Sequence, residues 1–316
     1  MFSSFPILLP VFGLILAGFI CRRTGVLGPN AAPELNRFVV WLALPALLFD
    51  VMAHASWQQF NQPAFVATFA LACGGVFGLI LILRVLSGRH LADASVDAIA
   101  ASYPNTGYVG FPLCMIVFGP ASLTPTTIAS ILVVCVLFAA GIILIELGLQ
   151  TEKRPHQIAF GVMRSLARNP LIVSPIAGLV MAATHIPVPG AAETFLKFLS
   201  SAASPCALVS LGLFLAEKPP VTETKIDRGS WLLTGTKLVL QPILTWWLAD
   251  RVFALSQPLV EMAVVLAALP TGTGPYMLAE FYQREARVAS RTILFSTIGS
   301  VVSLSILLAV LFHHRG

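Results

Sequence analysis

Charge is what this sequence has least of. Among 316 residues only 10% are Asp, Glu, Lys or Arg, while 57% are hydrophobic and the mean hydropathy is +0.87; an ordinary soluble domain carries roughly 25% charged residues. A soluble fold is excluded by that shortage, and a chain built in lipid is expected. No Lys or Arg precedes Arg22 and Arg23, so the first apolar run lacks the charged start of a cleaved leader and is expected to stay, entering amino end outward. The five cysteines, Cys21, Cys73, Cys114, Cys135 and Cys206, are odd in number and form no C-x-x-C pair. No disulfide framework or metal site is expected from them. None of the six His residues forms a ligand pair at helical spacing, and neither a Gly-rich phosphate loop nor a G-x-S-x-G elbow occurs. No cofactor and no enzyme activity are expected. The formal charge of +5 is scattered between apolar segments rather than gathered on one face, so nucleic acid is not an expected partner.

What the sequence has in abundance is apolar runs. A hydrocarbon core asks for about 20 apolar residues per helix, and ten spans are expected at 5–21, 35–54, 64–83, 95–118, 124–149, 170–186, 192–216, 231–249, 259–282 and 291–312. Lys and Arg test this count, because cytoplasmic loops carry the excess. With these ten spans, fifteen of the nineteen fall on one side and only Lys197, Arg251 and Arg315 on the other, with Lys237 inside a span. A wrong count would scramble that alternation, so both termini are expected outside the cytoplasm. The longest connection, 151–169, is read as a cytoplasmic linker. Its Ile158, Val162 and Leu166 oppose Arg164 and Arg168, a weakly amphipathic pattern that fits a helix lying on the cytoplasmic membrane surface and equally a plain solvated linker.

Internal similarity at large spacing divides the chain into a first five-helix repeat, 1–150, and a second, 170–316. Pro104-Asn105-Thr106-Gly107 matches Pro270-Thr271-Gly272-Thr273-Gly274 at a displacement of 166. Pro10 and Gly13 match Pro175 and Gly178, Arg84-Val85 matches Arg251-Val252, and Thr127-Ile128 matches Thr292-Ile293, at 165, 167 and 165. Five is odd, so the second repeat must enter upside down relative to the first. The expected fold is an all-α integral membrane protein of ten helices in two inverted repeats, with helices four and nine broken and crossing at the midplane.

Pro and Gly clusters inside a span are tolerated where protein or a water-filled cavity satisfies the freed backbone groups. Matching interruptions in two halves point to a transporter's binding site. Helix amino ends favour anions, and both second half-helices should turn theirs toward the crossing, with Pro275 in a first turn that needs no N–H. Asn105, Thr106, Gly107 and Tyr108 on one side, with Thr271, Gly272, Thr273 and Tyr276 on the other, are the candidate substrate-binding residues, and Pro104 and Pro270 the crossover. No Asp or Glu occurs from Ala98 to Gly110 or from Val264 to Tyr276, which argues against cation exchange through the crossing. Asp50, Asp97, Glu146, Glu261 and Glu280 are expected hydrated or paired near headgroup depth. Lys237 is expected to snorkel toward the cytoplasmic interface, and Pro45 and Pro205 to be kinks.

The stretch from Asn36 to Phe49, the segment Asn105-Thr106-Gly107-Tyr108-Val109-Gly110-Phe111-Pro112, the segment Lys237 to Pro242 and the run from Leu269 to Tyr282, followed by Ser296, Thr297 and Ser300, together resemble the auxin efflux carrier family. The likeness covers nearly the whole chain. It implies elevator-like alternating access around the crossover, small organic anions as substrates (auxin for plant members, dicarboxylates such as malate or malonate for some bacterial ones) and a homodimer. The long loop of the large plant carriers is absent, which points to a bacterial-type member in the inner membrane. Gln283 stands where a Gly often ends helix nine. The expected function is secondary transport of a small carboxylate across the cell membrane, driven by a gradient. Whether a proton or sodium is coupled stays open. The alternative within the class is a sodium-coupled symporter of the bile-acid type; outside it stand an intramembrane enzyme and a passive channel.

Overall fold

In the computed structural model, which describes residues 5–54, 61–150, 155–184, 188–216 and 228–313, every regular element among the described residues is a helix. Apolar runs leave the backbone no partner outside themselves, and a helix pairs its peptide groups internally. In chain order the helices are α1 (Phe5–Thr24), α2 (Ala31–Ala53), α3 (Pro63–Leu86), α4 (Leu91–Ser102), α5 (106–118), α6 (123–148), α7 (Pro155–Arg168), α8 (Pro170–Thr184), α9 (Gly190–Leu215), α10 (228–252), α11 (Gln257–Ala267), α12 (Gly274–Phe281) and α13 (Ala286–His313). Five helical stretches, Ala31–Ala53, Pro63–Leu86, Phe111–Gly148, Gly190–Leu215 and Ala286–Leu311, are long and apolar enough to cross a membrane. The pair α7 and α8, bent by 69°, makes a sixth if taken as one span. The linker expected at 151–169 contains α7; its first four residues lie outside the described set, and Phe160 and Met163 are exposed beside Arg164.

Proline shapes these helices without always breaking them. Turns of π-helix at Val39–Ala43, Thr106–Gly110 and Thr236–Leu240 stand immediately ahead of Pro45, Pro112 and Pro242. A proline ring crowds the carbonyl four residues back, and a locally widened turn relieves that crowding while the helix continues. Pro205 lies within an α-helix that runs on to Leu215. Gly119, at φ +69°, separates α5 from α6.

The most buried layer is formed by α4, α11 and α12: residues 92–106 and 260–279 are almost entirely enclosed. Around it, α3 packs on α4, α10 on α11, and α13 and α6 on both. Beside it, α1 pairs with α9 and α8 with α2. These last contacts are backbone to backbone. A methyl on Gly18 would collide with the Val209 carbonyl oxygen, one on Gly212 with that of Ile15, and one on Gly178 with that of Phe49. Small residues of this kind drive helix association where no hydrophobic effect operates between helices.

Ion pairs tie the α4 amino end to its neighbours. Arg84 meets Asp97 at 2.6 Å, Arg89 meets Asp97 at 3.3 Å and Glu285 at 2.6 Å, and Arg284 donates to both Asp93 oxygens at 2.8 and 2.5 Å. Burial works to raise the Asp93 carboxyl, but the hydrogen bonds and charge of Arg284, with Arg89 and His90 behind them, outweigh it and hold the group below its usual range. Glu146 accepts from the Tyr282 hydroxyl at 2.8 Å, which in turn accepts from the Asn169 amide at 2.9 Å. Asp97 and Glu146 are therefore paired. The turn after α12 closes through Arg284 N–H to Ala279 O at 2.7 Å, with Gln283 at φ +51°, the left-handed position that glycine usually fills at a helix end.

Two outcomes follow from this packing. Gly212→Val should separate α1 from α9 and cost about 1–3 kcal/mol, read as a lower melting temperature in detergent, whereas Gly13→Ala, facing open space, should not lower it. Gln283→Gly should raise the melting temperature, because it removes a left-handed strain of roughly 1 kcal/mol.

Candidate functional site at the meeting of two interrupted helices

Helix α4 stops at Ser102 because Pro104 has no N–H and keeps Tyr103 out of the helical region; Tyr103 lies at φ −100°, ψ 86°. Helix α11 stops at Ala267, ahead of Pro270. The two freed segments find each other. Asn105 N–H donates to Pro270 O at 2.8 Å and Gly272 N–H to Tyr103 O at 3.0 Å, an antiparallel bridge centred on Pro104 and Thr271. Further groups from the layer take up what remains. Thr271 Oγ1 donates to Ala100 O at 2.9 Å, and its N–H donates to Ser296 Oγ at 3.0 Å.

The amino ends of α5 and α12 are treated differently. Asn105 O accepts from the Val109 and Gly110 N–H groups at 3.2 and 3.1 Å, and Thr273 O from that of Met277 at 3.1 Å. The N–H groups of Gly107 and Gly274 have no acceptor among the described residues. Both glycines line one partly open cavity, with about 40 Å³ in which the centres of water-sized guests can lie, walled by Leu44 and Leu47 of α2, Val134 of α6 and Ala203 of α9. At about 10–15 Å³ per water this holds roughly three waters. Among the described residues its surface carries no acidic or basic side chain, and two helix amino ends meet there, so the field inside favours an anion.

The expected site residues divide in two. Pro104, Asn105, Thr106, Gly107, Gly272 and Thr273 line the cavity. The Thr106 hydroxyl is buried with no hydrogen-bond partner among the described residues. Tyr108 belongs to the turn Thr106–Gly110, and its side chain lies outside the described set. Thr271 and Tyr276 do not line the cavity. Thr271 fixes the bridge, and Tyr276 points toward α9, where its hydroxyl lies 3.3 Å from both the Ser210 carbonyl and hydroxyl oxygens and its ring rests on Phe214. Pro270 supplies its carbonyl to the bridge.

Two features went unread in the sequence. Tyr103 lies across Gly272 and Gly274, close enough that a methyl at either glycine would press on its ring at 2.9 and 3.1 Å, and packs on Phe138 with ring centres 5.8 Å apart. Gln241 donates to Ser102 O at 3.1 Å and to Cys73 Sγ at 3.2 Å. Lys237 corrects the expectation of snorkelling: it is fully buried and donates to Ala267 O at 2.6 Å. The reason is physical. A carbonyl released at the end of α11 lies within reach, so the ammonium has a partner without stretching to an interface. The signal was present as two long polar side chains four residues apart in one apolar span.

Comparison with known proteins bears on the family of the chain. The profile of the membrane transport protein family matches residues 4–308. A Rhizobium meliloti protein named for malonate transport is 30% identical over 96% of this chain and 94% of its own. An uncharacterised transporter of Escherichia coli is 23% identical over 94% of each chain. Auxin efflux carrier component 4 of Arabidopsis thaliana is 28% identical over 50% of this chain and 26% of its own length. The chain is a membrane transporter, and it belongs to the membrane transport protein family that includes the auxin efflux carriers.

Proposed function

We propose that this transporter moves a small carboxylate or dicarboxylate, of which malonate, malate or an auxin-like acid is an example, across the cell membrane as a secondary carrier. The observation that carries the reading is the pair of helix amino ends whose Gly107 and Gly274 N–H groups, without acceptors among the described residues, meet in one cavity lined by Asn105, Thr106 and Thr273. A carboxylate there would accept from the free amides and from neutral hydroxyl and amide groups, and its charge would be favoured by both dipoles. The relative named for malonate transport supports a dicarboxylate within this class.

In this proposal the chain crosses the membrane ten times as two inverted repeats, 1–150 and 170–316, joined by the linker 151–169, with the crossing near the midplane and both termini outside. Packing supports the repeat. Exchanging the two halves turns α1 on α9 into α8 on α2, α3 on α4 into α10 on α11, α4 on α12 into α11 on α5, and α4 on α13 into α11 on α6, and each of these pairs is in contact. The antiparallel sense of the Pro104–Thr271 bridge supports inversion. Elevator-like movement of the layer that carries the crossing, against α1, α2, α8 and α9, would expose the cavity alternately.

The test is binding and uptake with the purified protein. Malonate is expected to raise the melting temperature in a concentration-dependent way, and to enter proteoliposomes with saturating kinetics. Asn105→Ala should weaken malonate binding by about tenfold, the worth of roughly one hydrogen bond to a charged group, in a variant that still folds and inserts. Unchanged affinity in the folded variant would remove Asn105 from the site. No shift with any mono- or dicarboxylate would remove the substrate class.

A further inference from the structure

Helix α10 carries Lys237 and Gln241 one turn apart, both fully buried, at a spacing that puts them on one face. Each reaches the carboxyl end of a different interrupted helix. Lys237 Nζ donates to the carbonyl of Ala267, the last residue of α11, and Gln241 Nε2 to that of Ser102, the last residue of α4. A helix carboxyl end carries roughly half a negative charge, and cations next to it stabilise it. These two ends lie in the most enclosed layer of the molecule, where Ala100, Ala101 and residues 263–269 are buried. No carboxylate pairs with Lys237 among the described residues. A lone ammonium at such a place is costly unless fixed negative partial charge lies beside it, and the carboxyl end of α11, whose Ala267 carbonyl it meets, supplies that charge.

We propose that the Lys237 ammonium is a built-in cation for the crossing: it does at the carboxyl ends what a bound monovalent metal ion would otherwise do, with Gln241 as its neutral companion on α4. Lys237 is a positioning residue. It holds α11 against α10 so that the bridge between Pro104 and Thr271 keeps its register, and the amino ends of α5 and α12 stay aimed into the cavity. The consequence for transport, which rests on the anion-carrier reading, is that uptake needs no sodium.

Three measurements test this. Malonate uptake by wild-type proteoliposomes should be unchanged when choline replaces sodium. Lys237→Met, which keeps the stem and removes the charge, should fold but lower uptake by about tenfold or more. Lys237→Ala should melt at a lower temperature and be restored by n-propylammonium, which replaces the missing part of the side chain, but not by 1-propanol of the same length. If Lys237→Ala is recovered only poorly, the yield of monodisperse protein purified with the amine against the alcohol gives the same comparison. Equal rescue by 1-propanol, wild-type uptake and melting in Lys237→Met, or a sodium requirement in the wild type would each overturn the proposal. If the wild type takes up no carboxylate, the carrier reading fails on its own, and the amine rescue of melting still decides the role of Lys237.

Discussion

A peptide group released from a helix inside apolar surroundings must find another partner or cost several kcal/mol, and the centre of this molecule is organised by that demand. Pro104 and Pro270 free a short length of backbone in two helices at once. Each length becomes the other's solvent: Asn105 N–H is satisfied by Pro270 O, and Gly272 N–H by Tyr103 O. A single interruption would have needed water or side chains for every group. Two that meet need only a few more partners: Thr271, Gln241 and Lys237 donate to freed carbonyls, and Ser296 accepts from the Thr271 N–H.

The bookkeeping is lopsided in a way that matters. Carboxyl ends of the broken helices are served from within the protein, by side chains of α10 and by the crossing itself. Amino ends are not, since the Gly107 and Gly274 amides have no acceptor among the described residues and open on a cavity. In the proposed carrier, the substrate is the remaining partner for groups that the fold leaves incomplete. The absence of any acid from Ala98 to Gly110 or from Val264 to Tyr276 then has a plain meaning, because a carboxylate in that field would compete for the same amides.

Much of this was legible from residue order because lipid imposes long apolar runs, so helix positions appear as hydropathy without the ambiguity of a soluble core. The interruptions were legible because Pro and Gly at Pro104, Gly107, Pro270 and Gly274 act on the backbone, and backbone chemistry does not depend on neighbours. Side-chain direction was less accessible. Tyr276 looks equivalent to Thr273 on paper, yet its ring rests on Phe214 and its hydroxyl reaches Ser210. Lys237 was judged by its distance from a span end, although the partner that holds it, Ala267 O, is 30 residues away in the chain. Tyr103 was overlooked because its role comes from two glycines in another helix. Widened turns ahead of Pro45, Pro112 and Pro242 show why a proline alone does not distinguish a break from a bend.

The lining of the cavity carries a last consequence. Besides the crossing, it is aliphatic, made by the side chains of Leu44 and Leu47 of α2, Val134 of α6 and Ala203 of α9, and α2 and α9 belong to the pairs joined through Gly178 and Gly212. In the proposed carrier a guest would therefore hydrogen-bond to the crossing alone and meet those paired helices only through carbon and hydrogen, so the crossing could slide past them with its cargo and break no hydrogen bond on the way.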